Sequence, residues 1–100
     1  MSGTPNQVEW AERIKCKVNE EFERMASAFR AVAARQSNAR RTDTEAILAI
    51  LEDKRAAVMS RQEAGYFIHD WQEMGVQVRQ MISDDPRYQE IKAGWAGGRA

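Results

Sequence analysis

From Pro5 to Gln36 apolar residues return at alternating steps of three and four: Val8, Ala11, Val18, Phe22, Met25, Phe29 and Val32, with Lys15 the one polar interruption. That spacing puts them on a single stripe of a long helix, the seam of a coiled coil or an elongated bundle. The stretch has no glycine and no proline after Pro5. Thr4 as cap, Pro5 at the first helical position and Gln7 as capping-box partner mark its start. The pattern predicts helix 1 over about 5–36, roughly 48 Å long at about 1.5 Å per residue. A compact chain of this size has a diameter of roughly 34 Å. The fold is therefore a rod, or a second copy covers the overhang. Glu9 with Arg13 and Glu20 with Arg24 stand four apart, acid first, the favourable order on a helix surface.

Ser37 and Asn38 interrupt the stripe, and residues 36–41 read as a short connection. Thr42 with Glu45 forms a second capping box, opening helix 2 over about 43–59, with Ile47, Leu48, Ile50, Leu51, Ala57 and Val58 on its apolar face. A short link makes consecutive helices antiparallel neighbours. Ser60 with Glu63 is a third capping box and argues for a new helix. Against it, no glycine or proline lies between Thr44 and Ala64, and Ile50, Ala57, Ala64, Trp71 and Val78 are each seven apart. The weight falls on a nearly continuous or bent helix over a full reversal. The first gives a long hairpin that must pair with another chain, the second a three-helix bundle.

Helix 3, about 61–82, carries Ala64, Phe67, Trp71, Met74, Val78 and Met81, flanked by Ile68 and Ile82. Gly75 inside it costs about 1 kcal/mol relative to alanine and suggests the close approach of another helix. Asp84-Asp85-Pro86 ends this segment and opens a short helix over about 86–93, with Asp85 as cap. Tyr88, Ile91 and Trp95 share one face of it, Gly94 stops it, and 94–100 form a flexible tail. The expected fold is all-α: a long antiparallel helical hairpin or three-helix bundle with a short C-terminal helix, one domain over 1–100, completed by dimerisation. Val18, Phe22, Met25, Phe29, Phe67, Trp71 and Met74 are the expected self-association seam of a homodimer.

Composition narrows the function classes. The chain is 43% hydrophobic and 30% charged, too apolar for a disordered tail. Its longest apolar run, Ala46 to Leu51, is six residues, against the roughly 20 that cross a bilayer. The first residues lack the basic start and apolar core of a secretory signal, so a cytoplasmic protein is expected. Fifteen basic and fifteen acidic side chains cancel, which removes bulk attraction to nucleic acid or anionic membrane. The helices carry both signs of charge rather than a basic face, which disfavours peripheral membrane binding. Length and composition are those of many small bacterial or phage helical proteins.

Candidate chemistry is sparse. Cys16, the only cysteine, allows neither an internal disulfide nor a thiolate cluster and reads as a spacer on the flank of the seam. His69 could share a ligand with Glu73, but zinc sites take three or four protein ligands, and residue 66, where a Glu-x-x-His motif needs its acid, is Tyr66. Ser27, Ser37, Ser60 and Ser83 have no glycine-elbow context, and no glycine-rich phosphate loop is present. No catalytic, cofactor-binding or metal residues are assigned, and the protein is expected not to be an enzyme.

Charge distribution says more. Between Arg24 and Thr42 stand five arginines and no acid. In a hairpin, Arg35, Arg40 and Arg41 crowd one end of the rod. There they complement a helix C-terminus, or meet carboxylates or phosphates of a partner. Trp10, Tyr88 and Trp95 lie off the main seams and are candidate interface anchors. The leading expectation is a non-enzymatic protein–protein interaction module, an adaptor, regulator or inhibitor with an unidentified protein partner. The alternative is a nucleic-acid-associated regulator whose arginine cluster contacts phosphates.

Overall fold

Thr4 opens the first helix, α1 (Pro5–Ala33), in the computed structural model, which describes residues 1–96. Its hydroxyl accepts from the Gln7 backbone N–H at 3.3 Å, and the Gln7 side chain accepts from the Thr4 N–H at 3.1 Å. Each bond satisfies a donor that a helix start leaves unpaired. The described residues form four more helices and no strand: α2 (Asn38–Met59), α3 (Ala64–Asp70), α4 (Met74–Ser83) and α5 (Pro86–Ala96). The all-helical class holds.

α1 stops at Ala33 rather than Gln36 because the next turn is held by Arg41. Its Nε donates to the Ala33 carbonyl at 3.1 Å and its guanidinium to the Gln36 carbonyl at 3.3 Å. α2 then starts at Asn38, earlier than the Thr42–Glu45 pair suggested. Thr42 sits inside the helix, its hydroxyl donating to the Asn38 carbonyl at 2.9 Å. Thr44, Ile47, Ile50, Leu51 and Val58 are the buried residues of α2, with Lys54 half-buried among them.

After Met59 the chain turns back, which corrects the near-continuous helix expected there. The seven-residue row fails at Ala57, which is exposed. Ser60 ends α2, its hydroxyl donating to the Ala57 carbonyl at 2.7 Å. The reversal is stabilised from the amino terminus. Ser2 donates its N–H to the Gln62 carbonyl at 2.7 Å, and its own carbonyl accepts from Ala64 at 2.9 Å. Lys15, the interruption in the α1 stripe, donates to the Arg61 carbonyl at 3.3 Å, with its ammonium 5.5 Å from the centre of the Phe67 ring. The stem covers apolar surface while the cation serves the end of α2.

The third run is broken where one helix over 61–82 was expected. Trp71 leaves the helical region (φ −111°, ψ 62°), and its ring centre lies 6.1 Å from that of Phe22 in the core. Gln77 bridges the gap. Its side-chain oxygen accepts from the Glu73 N–H at 2.9 Å, and its amide donates to the Asp70 carbonyl. α3 and α4 lie along α1, α4 also touches α2, and α5 lies on α2. Gly94 does not stop α5, which runs on to Ala96; residues 97–100 of the expected tail lie outside the described residues.

The molecule measures 52 × 23 × 19 Å with a radius of gyration of 15.9 Å, above the roughly 13 Å of a compact chain of this length. α1 sets the long axis. Its apolar stripe, however, is covered from within the same chain. Val18, Phe22, Met25, Phe67 and Trp71 are buried in one cluster, with Phe29 and Met74 half-buried against it. The residues expected to join two copies instead pack α1 against α2 and the third run.

Two glycines predict opposite outcomes. Gly3 has φ +139°, and a Cβ there would stand 3.0 Å from that of Ala64. Gly3→Ala is expected to cost about 1–3 kcal/mol through backbone strain and the clash. At Gly75, α4 does lie on α1, but a Cβ would meet only the Glu21 carboxylate, at an ordinary 3.5 Å. Gly75→Ala is expected to stabilise by about 0.5–1 kcal/mol. Urea unfolding of both variants checks the pair.

Candidate functional site

The placement of α5 creates a surface with apolar walls and a polar rim. Asp85, just ahead of Pro86, is buried and accepts from the Arg87 backbone N–H at 2.8 Å and from its guanidinium at 3.0 Å. Lys54 of α2 reaches the same carboxylate at 2.9 Å, and Arg87 also reaches Asp53 of α2 at 2.7 Å. At the far end, the Trp95 indole N–H donates to Asp43 of α2 at 3.0 Å. The Arg87 guanidinium, and after it the Lys54 ammonium, hold the Asp85 carboxyl well below the usual carboxylate range, outweighing its burial.

These contacts bind α5 to α2. Among the described residues α5 packs on α2 and α4 but not on α1. A groove therefore opens between the C-terminal half of α1 and α5. It holds two clefts, of about 430 and about 390 Å³, that share Phe29 and Val32 as common wall. The first reaches Met25, Ala28, Ile82 and Tyr88; the second reaches Ile47 and Trp95. The Tyr88 and Trp95 rings meet edge to face at 6.5 Å. Val32 is 50% and Trp95 43% exposed; of the four large apolar side chains that stand exposed among the described residues, these two share the groove and Trp10 and Val76 lie outside it. Arg24 and Arg79 border the first cleft and Arg40 the second.

No family model matches this sequence, and neither a curated protein nor a solved structure shows significant similarity to it.

The groove unites residues that were separate candidates in the sequence. Tyr88, Trp95 and Arg40 share it; Trp10 does not, standing 55% exposed toward the other end of α1. Of the three clustered arginines, Arg41 is committed to the α1–α2 turn, while Arg35 and Arg40 are exposed and, among the described residues, enter no salt bridge. Arg41→Ala is accordingly expected to cost about 1–3 kcal/mol, and Arg35→Ala or Arg40→Ala less than about 0.5 kcal/mol, read as shifts in urea midpoint. Arg24 pairs with Glu21, not with Glu20, and holds the Glu21 carboxyl below its ordinary range.

Val32, Arg24 and Arg79 were not singled out as partner-facing. Val32 ends the α1 stripe beside the arginine-rich end, but periodicity alone assigns it to the core. His69 and Cys16 are exposed. Among the described residues no three His, Cys, Asp or Glu side chains stand close enough to hold a metal ion. No helix among them is long and apolar enough to cross a membrane.

Proposed function

We propose that this chain is a protein-binding helical module, an adaptor, regulator or inhibitor acting in the cytoplasm, and that the groove between α1 and α5 is its contact surface. One observation carries the reading: Arg87 and Trp95 tie α5 to α2, and among the described residues α5 does not pack on α1, so its aromatic face lies across an opening from an uncovered strip of α1. Grooves walled by helices and floored by apolar side chains receive amphipathic helices. An exposed tryptophan and a half-buried tyrosine beside arginine match the composition of binding hot spots. Bare phosphate recognition has weaker support, because Arg41 is engaged in the fold and the remaining rim cations flank apolar walls.

The dimer expected from the α1 stripe loses its original motive, since that stripe is packed within one chain. A second copy stays in the reading as one possible occupant of the groove. Sedimentation at micromolar concentration is expected to return the single-chain mass of 11.4 kDa.

A photo-cross-linking residue at Val32, expressed in the native host, tests the function. It is expected to give a discrete adduct that a cross-linker at Glu20, exposed on the outer face of α1, does not give. The same background from both positions would end the proposal.

A further inference from the structure

We infer that the groove takes an amphipathic α-helix whose apolar face ends in acidic residues at the Arg24 and Arg79 mouth. This rests on the protein-binding reading above and specifies the partner. The two clefts follow each other along α1 and meet at Phe29 and Val32. From Met25 to Val32 is one heptad, roughly 10 Å at about 1.5 Å per residue. That is the reach of the i, i+3 or i+4, and i+7 anchors with which a helix enters a groove. Clefts of about 390 and 430 Å³ are large enough for leucine-sized or aromatic side chains. Trp95 commits its only polar group to Asp43, so its ring faces an occupant as apolar wall.

Charge selects among helices. The α1 stretch that forms one wall belongs to a segment with five arginines and no acid between Arg24 and Thr42. Arg79 stands with Arg24 at one mouth, and Arg40 lines the other together with the Asp43 carboxylate. Glu21 offsets one charge of the Arg24 and Arg79 pair, and Asp43 offsets Arg40, so the excess of cations lies at the first mouth. Guanidinium forks pair with carboxylates in two parallel hydrogen bonds. A basic end meets like charge at the Arg24 and Arg79 mouth, which disfavours it at encounter and in the complex.

The test uses the full chain and three labelled probes read by fluorescence anisotropy. They are a helical peptide with leucines on one face and glutamates at both ends, its twin with lysines at the ends, and a short DNA duplex. At low salt the glutamate peptide is expected to bind at least roughly tenfold more tightly than the lysine twin. The preference should shrink as salt rises and reverse in the Arg40→Glu/Arg79→Glu double variant. Val32→Asp should remove binding of both peptides while lowering the urea midpoint far less than Phe22→Ala does, because the side chain is half-exposed.

Equal binding of the two peptides overturns the acidic partner and leaves the groove as a protein site. Duplex binding with neither peptide bound overturns both. A stable dimer that Val32→Asp converts to single chains identifies a second copy as the occupant, which overturns the inferred partner but keeps the site. Neither peptide binding nor self-association overturns the groove as a contact surface.

Discussion

Replacing Phe22 with alanine is expected to cost about 3–5 kcal/mol, a large share of the roughly 5–15 kcal/mol that keeps a domain folded. Phe22 is 1% exposed and stands where α1 meets both α2 and the third run, its ring tilted 59° to that of Trp71. Truncation leaves a void that Trp71 cannot fill, because the α3–α4 break holding its backbone is itself bridged by Gln77. Trp71→Ala should fall in the same range. The double variant should cost less than the sum of the two, by about 0.5–1.5 kcal/mol for the ring pair. Trp10→Ala, an equally large truncation at an exposed site, should change stability by less than about 0.5 kcal/mol. Urea unfolding gives all four values. If the Phe22 stripe were instead an interface between copies, the unfolding midpoint would move with protein concentration. With the stripe packed inside one chain it should not, and a Phe22→Ala loss under about 1 kcal/mol would contradict the packing described here.

The second large effect concerns Asp85 and acid. Its carboxyl is held below the ordinary carboxylate range, first by Arg87 and then by Lys54. A group with a depressed folded-state pKa stabilises the fold above its unfolded-state value, near 4 for an aspartate. That contribution disappears as pH falls from there toward the folded-state value. Wild-type stability should therefore decline steeply below about pH 4. Asp85→Asn removes the charge while keeping a side chain able to cap α5. It should be less stable at neutral pH and decline less steeply in acid. Because Asp85 anchors α5 to α2, the variant should also loosen the groove wall, read as faster proteolysis at Arg87 and Lys92 and a red shift of Trp95 fluorescence. An Asp85→Asn chain with the wild-type acid profile would show that this carboxylate does not hold α5 in place.

Much of the local structure could be read directly. The Thr4–Gln7 box, the Asp85–Pro86 helix start and the α1 stripe each depend on residues within one or two turns, where side-chain size, donors and spacing decide the outcome. The same local reasoning misled where two interpretations shared one pattern. Ile50, Ala57, Ala64, Trp71 and Val78 keep a heptad spacing across a point where the chain turns back, and the end of α2 at Met59 and the exposure of Ala57 reveal the coincidence. Thr42 with Glu45 looked like a helix start and lies inside a helix. Lys15 looked like a fault in the stripe and instead reaches the end of α2.

Helical periodicity, caps and the balance of charge were enough to establish an all-helical chain with a long first helix, because these are short-range properties of the backbone and its nearest side chains. Two further features depend on partners far apart in the chain. The turn after Met59 is held by the backbone of Ser2. The groove exists because Arg87 and Trp95 find Asp53 and Asp43 on α2, 34 and 52 positions away, and α5 leans there instead of on α1. Which of two neighbouring helices a short amphipathic segment joins is a competition between distant contacts of similar strength. Local pattern carries no record of its result.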